Sequence, residues 1–207
     1  MISIQEYLLN KNKKTIGTIK ATNETIANIV YDEIAKKGIE CDLNHIDTSA
    51  VTNMEELFLA WPSQGGHEHY QLVNPDISEW DVSNVTSMRG MFCGCHKFNC
   101  DISRWDVRKV KDFNSMFIEC YEFDQPIGSW KIDSMEDAVC MFKDCKSFSQ
   151  DLSSWNNKFI RTIVSTSRKW DMHKLAGMFA GTKMERDREI DFYPSEALYN
   201  LLNKYDD

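Results

Sequence analysis

Apolar residues recur along the chain at intervals of 25. Trp80, Trp105, Trp130 and Trp155 keep that spacing, as do Met91, Met116 and Met141, and Phe92, Phe117 and Phe142. So do Phe98, Phe123 and Phe148, the cysteines Cys95, Cys120 and Cys145, and Ile77, Ile102, Ile127 and Leu152. Columns running in step mark an internal repeat, in which each unit needs its neighbours to bury an apolar face. The units read DISEWDVSNVTSMRGMFCGCHKFNC, DISRWDVRKVKDFNSMFIECYEFDQ and PIGSWKIDSMEDAVCMFKDCKSFSQ, and a fourth begins at DLSSWN. Degenerate units flank them. Val51, Met54, Leu57 and Phe58 match Val85, Met88, Met91 and Phe92 at a distance of 34 residues. Met172, Leu175, Met178 and Phe179 follow Met135, Ala138, Met141 and Phe142 by 37. The extra residues fall in two insertions, 59–74 and 156–169.

Within a unit, Val85, Met88, Met91 and Phe92 follow the i, i+3, i+6, i+7 spacing of one helix face. This predicts a helix of about two to three turns, too short to stand alone, capped by Ser83 or Asn84 and ended by Gly94. The half from Phe98 to Val107 predicts a turn and a very short extended segment. Near the start, Ile26, Ile29, Val30 and Ile34 predict an amphipathic helix with Asn23 at its N-cap and Gly38 as its stop. Near the end, Pro194 and Ser195 open a helix carrying Leu198, Tyr199, Leu201 and Leu202. The expected architecture is an α/β repeat: a short leucine-rich-repeat-like solenoid of short helices and very short extended segments. It divides into an N-terminal helical cap (1–41), a repeat region of about five units (42–181) and a C-terminal helical cap (182–207).

The pattern D-I-S-x-W-D-V-S-x-V-x-x-M-x-x-M-F-x-x-C, with the lead-in ECDLNHIDTSAVTNMEELF from Glu40 to Phe58, resembles the BspA-like leucine-rich-repeat family of bacterial surface and lipoprotein-associated repeats. The likeness runs from about Asp42 to Gly181, two-thirds of the chain. It implies a solenoid that binds protein, often at a bacterial surface, and supplies no catalytic residues.

Composition narrows the function classes. The hydrophobic fraction of 42% and aromatic fraction of 12% suffice for a packed core. A net charge of −8 speaks against nucleic acid or an anionic membrane as partner, since both call for clustered positive charge. Seven cysteines, an N-terminal stretch without the apolar run of a secretory signal and no apolar run of membrane-spanning length give a cytoplasmic expectation with reduced thiols. Cell-surface or secreted location, by family resemblance, is the alternative.

Candidate chemistry is sparse. Cys93, Cys95, His96 and Cys100 lie close enough in sequence to hold zinc, but Cys95 also belongs to a repeat column in which its equivalents lack the other three ligands. That favours a small apolar thiol packed at a helix end. Helix spacing of about 8–10 Å would keep Cys95, Cys120 and Cys145 too far apart for disulfides. His67, Glu68 and His69 form a short chelating or acid–base group within an insertion. Asp76, Asp101 and Asp151 form a carboxylate column, broken by Pro126, that reads as turn-capping more readily than as a calcium ladder. No phosphate loop, nucleophile elbow or H-E-x-x-H motif occurs.

The function expected is therefore a non-enzymatic protein–protein interaction module, monomeric, without cofactor or metal. The alternatives are a surface or secreted host-interacting protein and a metal-dependent enzyme using the insertion loops. Packing constrains the columns, so partner-specific contacts are expected from the insertions and their flanks: Trp61, Tyr70, Phe159, Arg161, Arg168 and Trp170.

Overall fold

The computed structural model describes residues 18–59, 71–152, 154–155 and 177–183. Strand β1, Ile19–Lys20, comes first, then helix α1, Ile26–Lys37, then strand β2, Ile46–Asp47. β1 and β2 pair in parallel, with Ile19 opposite Ile46. Helix α1 buries Ile26, Val30 and Ile34, the apolar face its sequence predicts. It ends at Gly38, whose φ of 95° suits glycine and whose N–H donates to Ile34 O. Its N-cap is Thr25 rather than Asn23. Asn23 instead ties the helix start to the first degenerate unit: its Oδ1 accepts the Thr52 and Asn53 N–H groups, and its Nδ2 donates to Thr52 Oγ1.

The short helices expected in the repeats do not form, and the solenoid of helices and extended segments is corrected accordingly. Among the described residues, regular structure amounts to α1, the two-stranded sheet, the 3-10 turn Ile127–Ser129 and isolated helical residues at Gln71, Leu72 and Lys183. Elsewhere the extended component shrinks to isolated parallel bridges, Asp42 with Asp76, and Asn53, Ser87, Asp112 and Asp137 in succession. Val85, Met88, Met91 and Phe92 are buried, but on consecutive β-turns. The N–H groups of Met91, Cys93, Cys95 and Phe98 donate to Met88 O, Gly90 O, Phe92 O and Cys95 O, each three residues back.

Two backbone positions per unit make a helix impossible. Gly90, Ser115, Cys140 and Gly177, together with Glu56, have φ between 55° and 65°. Gly94, Glu119, Asp144 and Gly181 have φ between 58° and 79°. An α-helix needs φ near about −60° at every residue, so a left-handed residue at every fourth position breaks it. A chain of turns closed at i+3 produces nearly the same apolar spacing, which is why the periodicity suggests a helix. Ser83 and Asn84 cap nothing helical: Ser83 N–H donates to Asp81 Oδ1, and Asn84 Nδ2 to Ser49 O.

The remaining N–H groups of each turn row leave the unit. Met88, Gly90, Phe92 and Gly94 donate to Asp112 O, Asn114 O, Met116 O and Ile118 O at 2.8–2.9 Å. Phe113, Ser115, Phe117 and Glu119 repeat this toward Asp137, Val139, Met141 and Lys143. Every row thus gives its alternate N–H groups to the unit that follows. The Phe column stacks through the molecule: Phe58, Phe92, Phe117, Phe142 and Phe179 have successive centroid separations of 5.3, 5.6, 5.6 and 5.7 Å. The column thus resumes at Phe179 after the second insertion, and Phe142 N–H donates to Met178 O.

Trp and Cys hold their columns for a reason that volume alone does not supply. Trp80, Trp105, Trp130 and Trp155 send their indole N–H to Leu43 O, Ile77 O, Ile102 O and Ile127 O of the preceding unit, at 3.0–3.2 Å. Cys95, Cys120 and Cys145 send S–H to Phe58 O, Phe92 O and Phe117 O at 2.9–3.1 Å. Most of these carbonyls already accept a turn N–H from their own unit, as Ile102 O does from Trp105 and Phe92 O from Cys95. The side-chain donor fills the second lone pair. Phe or Ala would fill space at these positions and leave that acceptor unused.

The C-terminal helix expected within 182–207 lies outside the described residues beyond Lys183, and most of both insertions does too.

Candidate interaction surface

With the core columns turned inward, the remaining positions of each unit form outward columns, and these carry the variation. His96, Tyr121 and Lys146 share one position. The His96 and Tyr121 rings stack with centroids 4.2 Å apart, and Lys146 Nζ sits 3.7 Å above the Tyr121 ring. Glu119 lies 3.7 Å from His96 Nε2. Partial burial, reinforced by Glu119 and Asp144, pushes the Tyr121 hydroxyl up. Arg89, Asn114 and Val139 share another position, and Glu79, Arg104 and Ser129 a third. Ion pairs run from unit to unit across this surface: Arg89 with Glu55 at 3.6 Å, Lys111 with Glu136 at 3.1 Å, and Lys97 with Glu122.

The residues suspected of chemistry are drawn into structure instead. Cys95 is wholly buried with its thiol on Phe58 O. His96 faces outward onto Tyr121. Burial pushes the Cys93 and Cys100 thiols up to about 11, away from the thiolate that a nucleophile requires. The four residues therefore face different surroundings, and no group of three or more metal-type side chains gathers among the described residues. The seven cysteines are all free thiols. The spacing argument for this was wrong, however. Bridged parallel units lie only about 4.8 Å apart, within disulfide reach, and it is orientation that keeps them apart: each Sγ points at a carbonyl.

The aspartate column caps turns, as its pattern suggested. Asp76 Oδ1 accepts the Ser78 N–H and hydroxyl, and Asp101 Oδ1 accepts the Ser103 N–H. Burial works against the Asp76 charge, but Ser78, Asn44 and Cys100 together hold its carboxyl below the usual range. Asp101 is likewise held low, first by its bonds to Ser103 and also by Arg104. An open groove of about 340 Å³ runs past this column, lined by Glu40, Asn74, Pro75, Asp76, Ser78, Cys100 and Asp101. Burial pushes its thiol up and its Asp76 and Asp101 carboxylates are committed to turns, so it offers shape and negative charge rather than a nucleophile.

The sequence-derived contact residues Trp61, Tyr70, Phe159, Arg161, Arg168 and Trp170 lie outside the described residues, as do His67, Glu68 and His69. What the sequence reading missed is the outward columns. Their signal was available: the same 25-residue interval that finds Trp105 also aligns His96, Tyr121 and Lys146.

The three full units and most of both insertions coincide with a match to a family model, described as Mycoplasma protein of unknown function, DUF285, over residues 64–168. The chain belongs to that family. No curated protein and no solved structure matches it significantly. The DUF285 span contains the Trp, Cys and Phe columns from Trp80 to Trp155, so the donor ladders described above lie within the family's own domain.

Proposed function

We propose that this DUF285 protein is a BspA-like repeat protein acting as a non-enzymatic interaction module, presenting its outward columns and insertions to a protein partner. The observation that carries the reading is the contrast between columns. Inward positions stay apolar, and the Trp80, Met91, Phe92, Cys95 and Phe98 columns repeat one residue type, because packing and donor bonds dictate it. Outward positions such as His96, Tyr121 and Lys146 change chemical character from unit to unit. A surface free of packing constraint is where specific contacts are encoded, and aromatic and cationic residues are enriched at interface centres. Trp61, Tyr70, Phe159, Arg161, Arg168 and Trp170 belong to the proposed contact set by residue type. Seven unbridged thiols favour a reducing compartment. No helix among the described residues is long and apolar enough to cross a membrane.

The test is affinity capture from the source cell, run in parallel with a His96→Ala, Tyr121→Ala, Lys146→Ala triple variant and with Arg161→Ala, Arg168→Ala. A partner held by the wild type and lost by a variant of unchanged melting temperature supports the reading. Equal capture by every variant, or none by the wild type, counts against it.

A further inference from the structure

The turn rows have a direction, and the first of them exposes what that direction leaves over. Met54, Glu56 and Phe58 donate their N–H groups to Ser87 O, Arg89 O and Met91 O of the next unit. Leu57 and Leu59 N–H close turns onto Met54 O and Glu56 O, and Glu55 N–H is taken by Asn53 Oδ1. The N–H groups of the row are therefore spent. The alternate carbonyls Asn53 O, Glu55 O and Leu57 O are the equivalents of Ser87 O, Arg89 O and Met91 O, and they face the side from which a preceding row would donate. Among the described residues they accept no hydrogen bond. Asn53, Glu55 and Glu56 are exposed and Leu57 is half-buried.

We infer that this edge is a docking site for another protein, through a main-chain segment that presents three alternate N–H groups with basic side chains beside them. The inference rests on the interaction reading and names its site. Main-chain polar groups are obligatory bonding groups, and adding a segment to an open edge is an established way to satisfy them. The geometry is one the chain itself fulfils at each later junction, so the register is fixed: donors at i, i+2 and i+4. Charge fixes the rest. Glu55 and Glu56 are exposed and acidic in the same row as the carbonyls, and Glu55 already meets a cation of the next row, Arg89, at 3.6 Å. A second copy of this chain does not fit. Two such edges face to face set carbonyl against carbonyl. A head-to-tail arrangement draws its donors from the last row, where the sequence has Ala176 at the place of Arg89 and so brings no matching cation.

The probe is a synthetic peptide of residues 85–94, VTSMRGMFCG, whose row donates from Met88, Gly90 and Phe92 and carries Arg89. It is titrated into the full-length protein labelled with ¹³C at carbonyl positions. Two controls are N-methylated, one at Met88, Gly90 and Phe92, the other at Arg89, Met91 and Cys93. Saturable shifts at the Asn53, Glu55 and Leu57 carbonyls are expected, with at least tenfold weakening by the first methylation and little by the second. Glu55→Lys with Glu56→Lys should weaken binding several-fold at unchanged melting temperature. Shifts elsewhere, equal binding of both methylated peptides, or no binding at millimolar peptide overturns the edge. None of these outcomes touches the outward-column capture experiment, so the broader reading stands or falls separately.

Discussion

Helix α1 and the turn rows solve the same problem in opposite ways. In α1 the main-chain bonds close within one segment of 12 residues, and the tertiary structure needs only to cover the Ile26, Val30 and Ile34 face. In a turn row about half the outward N–H and carbonyl groups are satisfied only by a row one repeat away, as Phe92 is by Met116 and Phe117 by Met141. The helix is locally complete and merely docked. A row is incomplete without its neighbours. Damage within a central unit should therefore propagate to the units on both sides, whereas damage at the α1 interface should stay local.

The largest break is Trp105→Ala, expected to cost on the order of 3–5 kcal/mol, with loss of ordered signals from the flanking units as well. Trp105→Phe sharpens it: much of the apolar area stays, and the missing donor to Ile77 O should cost about 1 kcal/mol. Denaturant melts check both, and a loss below about 1 kcal/mol for the Ala variant would place the column outside the core. Next comes Cys120, where Ala should cost about 1–2 kcal/mol through the lost volume and bond. Serine, retaining a donor toward Phe92 O, should be the milder change; if it is the worse one, the S–H bond carries little. Mass analysis after alkylation without reductant should find no link among Cys95, Cys120 and Cys145.

At the docked helix the effect is smaller and depends on pH. Glu33 is held below its ordinary value of 4.5, first by its bond to Lys37 and, against the opposing effect of burial, by His45 at 2.9 Å. A carboxyl depressed in the folded state stabilises above its unfolded pKa and loses that contribution as pH falls through the folded value. Wild-type stability should thus decline as pH drops below 4.5 more than that of Glu33→Gln, with a difference at neutral pH of about 0.5–1 kcal/mol. Parallel pH profiles for the two proteins would expose the idea as wrong. Smallest is Ser115→Gly. Left-handed φ costs an ordinary residue about 1–2 kcal/mol and glycine's extra chain entropy about 0.5–1 kcal/mol, so a gain of about 0.5 kcal/mol is expected in thermal melts. A clear loss would mean that the Ser115 hydroxyl bond to Asn114 Oδ1 outweighs the strain.

The contrast also explains what was legible beforehand. The α1 helix can be read from Ile26, Val30, Ile34 and Gly38 because its determinants are local. The core could be read from its columns, since burial depends on side-chain type and interval. The row conformation could not, because a string of turns and a short helix share a spacing near three. The discriminating residues, Ser115, Glu119, Cys140 and Asp144, adopt left-handed φ without being glycine. Gly90 and Gly94 mark it in one unit, but Gly94 suits a helix end equally well and Gly90 lies inside the expected helix. The candidate surface was partly legible: Asp76 and Asp101 cap turns as their placement suggested, while the His96, Tyr121, Lys146 column passed unnoticed beside the more conspicuous cysteines.

The one-way bonding of the rows gives the molecule an electrical polarity. In each central row the N–H vectors point toward the C-terminal units and the carbonyls toward the N-terminal ones, so their peptide dipoles add. Rungs at the row ends, such as Lys111 N–H to Thr86 O and Glu122 N–H to His96 O, run the other way and cancel part of the sum. What remains has the opposite sense to an α-helix, whose positive pole lies at its start. Here the negative pole lies at the N-terminal end of the stack, over Asn53, Glu55 and Leu57, where it adds to the charge of the glutamates. A cation approaching that end is drawn by the row carbonyls and the glutamates together, and its association there should weaken as ionic strength rises.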